Sequence, residues 1–235
     1  MSITENVAKI REEIAAAARA AGRDPAEITL VAASKMNDAD RVREAIAAGV
    51  DACGENRVQE MLEKLSQGAY EGAPLHFIGH LQKNKVKQVV GRVSLIHGAD
   101  SLALLETIER VAAARGLTQE LLLEVNIGAE ESKSGFAPGE IQTALAAASD
   151  LPHIRVRGLM CIPPAGLGDE ENRLNFTKMN KLFVDNGGKK YDNVSMDFLS
   201  MGMSADFACA IACGANMVRV GSGIFGPRPY QIPET

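Results

Sequence analysis

The chain has no tryptophan, and its 235 residues include only 3 tyrosines and 7 phenylalanines. Hydrophobic residues still make up 46 % of it, so a full-sized core can form, but an aliphatic one. Cysteine is sparse as well. Cys53, Cys161, Cys209 and Cys213 form no Cys-x-x-Cys pair and no disulfide-like framework. Cys209 and Cys213 share a face of a predicted helix, but no histidine lies near enough to complete a metal set, so no metal site is expected. These two read as small buried residues, and the cysteine usage points to a reducing, cytoplasmic compartment. Positive charge is in deficit, with 25 basic against 30 acidic residues and a net charge of -5, which argues against nucleic acid as a partner. Lys83, Lys85 and Lys87 do not share one helical face and read as solvated surface, as do Glu60, Glu63 and Lys64. No apolar run reaches membrane-spanning length, and the N-terminus has no signal-peptide pattern, so neither a membrane partner nor export is expected. Nor does a linker or low-complexity segment interrupt the chain, so residues 1–235 are expected to form one domain.

What is present is a regular alternation. An Ala-rich amphipathic helix is predicted over 1–23, with Ile3, Val7, Ile10 and Ile14 at helical spacing. Strand-like runs follow at 28–34, 51–54, 75–79, 94–97, 120–126, 156–160, 196–200 and 216–220. Helical segments follow the first seven: 38–48, a stretch ending near 67, 82–90, 102–115, 138–149, one starting near 169, and 204–213. Gly187-Gly188-Lys189-Lys190 reads as a turn before the seventh strand. Strands alternating with helices imply right-handed crossovers and a parallel sheet. Eight such units predict an α/β fold, a single closed (β/α)8 barrel of the TIM type with an extra N-terminal helix. A doubly wound open sheet is the alternative.

In a barrel, chemistry gathers on the loops at the C-terminal ends of the strands. Lys35, Asn56, His80, Asn126, Met160, Ser200 and Gly221-Ser222 all fall on that rim. A lysine where a buried strand emerges has a flexible stem on a rigid wall, and partial desolvation frees its amine to attack a carbonyl. A lysine that merely snorkels past the strand end is the plainer reading. The loops after strands seven and eight, 200–204 and 221–223, carry Gly and Ser, whose backbone and hydroxyl groups can approach an anion. Ser204 could equally cap the next helix, and Gly221 could simply turn the chain. Two such loops on adjacent strands favour phosphate, and a lysine across the mouth then favours an aldehyde-bearing phosphate ligand. The glycines at 202 and 221 do not form a dinucleotide fingerprint. His97 reads as a satisfied rim residue, and His76 and His153 belong to no visible constellation.

Further motifs run nearly end to end: Leu30-Val-Ala-Ala-Ser-Lys35, Gly54-Glu-Asn-Arg-Val-Gln-Glu60, His76-Phe-Ile-Gly-His-Leu-Gln-Lys-Asn-Lys85, Glu124-Val-Asn-Ile-Gly128, Lys133-Ser-Gly-Phe136, Arg157-Gly-Leu-Met160, Leu199-Ser-Met-Gly-Met-Ser-Ala-Asp-Phe207 and Val218-Arg-Val-Gly-Ser-Gly-Ile-Phe-Gly226. With these the chain resembles the pyridoxal phosphate homeostasis proteins, whose barrel is similar to the N-terminal domain of alanine racemase and other fold-type III enzymes. The resemblance implies pyridoxal 5'-phosphate (PLP) held as a Schiff base on Lys35. It also implies that Ser200, the backbone that follows at Met201, and Gly221-Ser222 hold the phosphate. Arg219 would face the pyridine nitrogen, Asn56 and Met160 would line the ring, and His80 would stand just behind. Met36 and Gly223 depart from the family pattern, but neither removes a cofactor-binding group.

An arginine is permanently charged and only donates hydrogen bonds, so opposite a pyridine nitrogen it disfavours ring protonation and weakens the ring as an electron sink. The resemblance further implies that the racemases add a β-rich domain supplying a tyrosine base, whereas this sequence stops at Thr235. Tyr70, Tyr191 and Tyr230 fall at a helix end, before a strand and in the tail. The expectation is therefore a PLP-binding protein of intracellular PLP homeostasis, with no catalytic residue and no turnover of its own. PLP-dependent apoenzymes are candidate recipients, and the architecture is compatible with a monomer. The alternatives are a weak PLP-dependent amino-acid racemase and a cofactor-free Schiff-base aldolase.

Overall fold

The computed structural model describes residues 2–130, 133–164, 166–188 and 191–227. Ser132, Lys189, Lys190 and Tyr230, which figure in the sequence reading, lie outside the described residues. The first helix, α1 (Ile3–Ala20), begins at a reciprocal cap: the Ser2 hydroxyl accepts from the Glu5 N–H, and the Glu5 carboxylate accepts from the Ser2 N–H. Its buried stripe of Ile3, Val7, Ile10 and Ile14 matches the predicted spacing.

The eight predicted units follow: β1 (Thr29–Ala33), α2 (Ala39–Ala47), β2 (Ala52–Glu55), α3 (Val58–Ser66), β3 (Leu75–Phe77), α4 (Val86–Val89), β4 (Leu95–Ala99), α5 (Leu102–Ala114), β5 (Gln119–Glu124), α6 (Ile141–Ser149), β6 (Ile154–Met160), α7 (Asp169–Gly187), β7 (Val194–Met203), α8 (Phe207–Ala212), β8 (Met217–Val220) and α9 (Ser222–Phe225). The strands are parallel and close in sequence order, with β8 back against β1. The α1 helix packs on α2, α8 and α9 and so covers that seam.

Among the boundaries that differ from expectation, three stand out. The helix predicted over 82–90 is a single 3-10 turn, Lys83–Lys85, followed by only four residues of α4. Residues 138–140 form a 3-10 turn entered through Pro138, so α6 begins at Ile141. Residues 200–203, expected to be loop, still belong to β7, and α8 starts at Phe207 instead of 204. Gly202 accounts for this: its φ of +93° and missing side chain let the strand end lie against α8, where a Cβ would sit 2.6 Å from the Ala210 Cβ.

Both faces of the strands are buried, as parallel strands require. Val31, Ala52, Ile78, Leu95, Leu122, Met160 and Met217 form an apolar plug, while residues such as Leu30, Phe77, Leu121, Leu159, Phe176 and Val218 pack in a larger, separate shell. That shell also takes Cys53 and Cys161, while Cys209 and Cys213 are half-buried, and none of the four is in a disulfide.

Candidate functional site

The register of β1 on β8 pairs Ala32 with Val220, so the residues just beyond each strand emerge side by side. There a cleft of about 420 Å³ opens, lined by Lys35, Arg41, Gly221, Ser222 and Phe225 among others. Lys35 is half-buried in this wall. The next residue, Met36, has φ +62°, a left-handed conformation that costs a non-glycine residue about 1 kcal/mol. Its N–H donates to the Glu60 carboxylate. On the opposite lip the N–H groups of Gly221 and Gly223 both donate to the Ser204 hydroxyl oxygen, at 3.1 and 3.3 Å. Two amides converging on one oxygen suit an oxygen of a phosphate ester equally well. Ser204 thus bridges the two loops instead of capping α8.

Ser200 lies inside the barrel and is bonded on two sides. Its hydroxyl is fully buried, accepts from Arg219 Nη1 at 2.5 Å, and lies 3.1 Å from His97 Nδ1. His97 Nε2 is in turn 3.1 Å from His76 Nδ1. Strands β4 and β7 are not neighbours in the sheet, so this chain of four side chains crosses the barrel interior. Arg219 can only donate, and the buried Ser200 O–H then finds its acceptor at His97 Nδ1. That assigns the His97 proton to Nε2, facing His76. Arg219 also donates to the Cys161 carbonyl at 2.9 Å, so both of its bonds pin it across the barrel.

Burial pushes the His97 pKa far below the usual histidine range and lowers that of His76 from 6.5 to about 4. An unfolded His76 binds its proton near pH 6.5 and the folded one only near pH 4, so acid favours the unfolded chain. Stability held above pH 6.5 is therefore lost as pH falls through this window. Thermal unfolding between pH 7 and 4 should show that loss, and in His76→Gln it should be shallower by about 1.4 kcal/mol per pH unit. Equal slopes in the two proteins would refute the assignment. The Glu124 carboxyl, at the end of β5, is raised from 4.5 to about 6 by burial and by Asp100, against the opposing influence of Arg219 and His80.

A second polar cluster lies behind Lys35 and corrects the reading of Glu60 and Lys64 as solvent-facing. Lys64 is buried, and its ammonium donates to Glu55 Oε1 at 2.7 Å, Glu60 Oε1 at 2.8 Å and the Ser34 carbonyl at 2.8 Å. Glu55 Oε1 also accepts from the Ser34 hydroxyl and from Tyr70. Burial raises the Glu55 pKa above the usual carboxylate range.

Of the residues singled out in the sequence, Lys35, Gly221 and Ser222 share the cleft. Arg219 and Ser200 lie together inside the barrel, and Met160 belongs to the apolar plug. The Met201 side chain packs in the larger apolar shell, because strand alternation turns it away from Ser200, so only its backbone could serve a ligand. His80 does not reach the Lys35 cleft. It is half-exposed, 3.0 Å from Asp100 Oδ2 and 3.1 Å from Ser134 Oγ, and it shares a smaller cleft of about 210 Å³ with Asn56. Asn56 Oδ1 is buried with no hydrogen-bond partner among the described residues, a group that awaits a donor. Among the described residues no cluster of three or more His, Cys, Asp or Glu could hold a metal ion, and no helix is long and apolar enough to cross a membrane.

Residues 6–229 match the family model of the alanine racemase N-terminal domain. The chain is 39 % identical over 232 residues to the pyridoxal phosphate homeostasis protein of Pseudomonas aeruginosa, covering 99 % of this chain and 98 % of that one. It is 40 % identical over 230 residues to the protein of the same name from Aquifex aeolicus, covering 98 % and 100 %. Among solved structures, PipY of Synechococcus elongatus with PLP bound is similar at a TM-score of 0.82 and 32 % identity, over 96 % of this chain and 100 % of that one. D-threonine aldolase of Filomicrobium marinum, at 15 % identity and a TM-score of 0.74, shares the fold over 95 % of this chain and 60 % of its own.

Proposed function

The chain belongs to the pyridoxal phosphate homeostasis protein family, and we propose that it captures and releases PLP at the rim of its barrel without turnover of its own. The observation that carries this reading is the sharing of one cleft by Lys35 and the Gly221–Ser222 turn, beside the converging Gly221 and Gly223 amides. PLP, when bound, supplies an electrophilic aldehyde and a ring that can accept electrons. Lys35 would supply the amine that meets this aldehyde, reversibly and with loss of water. Gly221, Gly223, Ser204 and Ser222 would hold the phosphate, while Asn56 from the neighbouring cleft and Met160 from the plug beneath would approach the ring.

Arg219 is compatible with storage, though racemases share such an arginine. As a fixed cation that only donates, it opposes protonation of a pyridine nitrogen placed before it and so blunts the electron sink. Tyr70 is bonded to Glu55, and Tyr191 bridges to Val194 where β7 begins, at the other end of that strand from Ser200. Unpaired thiols fit a cytoplasmic role in which the cofactor passes to apoenzymes. The second reading is a weak PLP-dependent amino-acid racemase with Lys35, which lines the cleft, as its single base.

The test is to mix the purified protein with PLP, reduce with borohydride, and locate the added pyridoxyl mass in a digest. It should sit on the peptide containing Lys35. Product spread over surface lysines would overturn the reading. Racemisation of an amino-acid panel above the rate with free PLP would favour the enzyme.

A further inference from the structure

We propose that Glu60 and Lys64 are positioning residues that clamp the backbone on both sides of Lys35, and so set how its amine meets an aldehyde. On one side Lys64 Nζ donates to the Ser34 carbonyl at 2.8 Å. On the other, Glu60 Oε1 accepts from the Met36 N–H. The two jaws are joined, because Lys64 also donates to that same Glu60 oxygen at 2.8 Å. Glu55 Oε1 anchors the assembly to β2, accepting from Lys64 and from the Ser34 hydroxyl at 2.7 Å each. The two peptide groups flanking Lys35 are therefore tied to one buried ion cluster on α3, while Lys35 itself projects into the cleft.

The clamp has a purpose that packing alone does not explain. Met36 holds the left-handed region although the residue is 48 % exposed, so apolar burial does little to keep it there. The Glu60 bond to its amide holds it. Glu60 and Lys64 stand four apart on α3 and make a common helical pair, but here the lysine is only 4 % exposed. An ordinary surface pair would leave both heads in water. The other charges lining this cleft are Asp38, which caps α2, and Arg41 within it.

This inference rests on Lys35 as the capturing amine, so the test reads that amine in two ways. Glu60→Ala removes the acceptor from Met36 and from Lys64, whereas Glu60→Gln keeps a carbonyl oxygen there. Glu60 is 19 % exposed in its side chain, so both variants should fold, and thermal unfolding checks that they do. The first readout is the fraction of Lys35 trapped by borohydride across a PLP titration. The second uses apoprotein alone: the pH profile of Lys35 acylation by acetic anhydride, followed by peptide mass. Glu60→Ala should need about tenfold more PLP and should shift the acylation profile, with Glu60→Gln recovering most of both. Wild-type values for Glu60→Ala in both readouts would overturn the clamp. If the wild-type protein itself traps no PLP on Lys35, the proposed function fails, and the acylation profile alone judges the clamp. Should Glu60→Ala not fold, Lys64→Arg decides, because a planar guanidinium cannot meet three oxygens arranged around a compact ammonium. A shifted profile supports the clamp, and an unchanged one overturns it.

Discussion

Lys35→Ala should abolish borohydride trapping and weaken PLP binding by about 100-fold, or roughly 2.7 kcal/mol. On the proposed reading the loss is large because the variant would forfeit a covalent bond and keep only phosphate recognition by the backbone near Gly221 and Gly223. Binding should therefore become weak and non-covalent. The fold should survive, because Lys35 lies beyond the end of β1 and the ladders to β2 and β8 are made by backbone. Lys35→Arg sharpens the test. It keeps the positive charge but cannot lose a proton, so it should trap no more than Lys35→Ala does. Undiminished trapping in either variant, located on another lysine, would place the capturing amine elsewhere.

That the place of Lys35 at a strand exit was legible in the sequence follows from locality. A buried parallel strand and its exit turn occupy adjacent residues, and the same alternation repeated eight times specifies the barrel. The interior network was not legible, because His76, His97, Ser200 and Arg219 come from four strands and meet only when the sheet closes. A trace of it was there: His76 alternates with Leu75 and Phe77, which pack in the larger shell, so period-2 patterning turns His76 to the other face. Lys64 was misread for a similar reason. Its pairing with Glu60 is what a solvated helix shows, but Val58, Met61 and Lys64 recur every third residue along the buried stripe of α3. A lysine on an apolar stripe requires a buried partner, and Glu55 is it. Residues 200–203 read as loop in the sequence because Gly and Ser usually mark one. In the structure glycine instead allows a strand end and a helix to touch.

Gly158→Ala should destabilise the protein by more than about 3 kcal/mol, lowering Tm by at least about 6 °C, or prevent folding. Gly158 has φ +143°, and a Cβ there would lie 1.9 Å from the Phe198 carbonyl oxygen and 3.0 Å from the Phe198 nitrogen. Backbone cannot move aside as a side chain can, and the clash falls within the β6–β7 pairing itself. The position matters for the site as well. Leu121 pairs with Val156 and Leu123 with Leu159, so β6 uses three residues where β5 uses two, which is a bulge. Val156 and Leu159 consequently pack in the same shell, and Met160 turns into the plug beneath the rim. Strict alternation from Val156 would have put Met160 on the same side as Val156. Gly139→Ala is the control, since a Cβ there meets nothing within 4 Å, and it should change stability by less than about 0.5 kcal/mol. Thermal and denaturant unfolding of the two variants decide the matter, and a Gly158→Ala protein as stable as Gly139→Ala would mean that β6 can hold Met160 in place without its bulge.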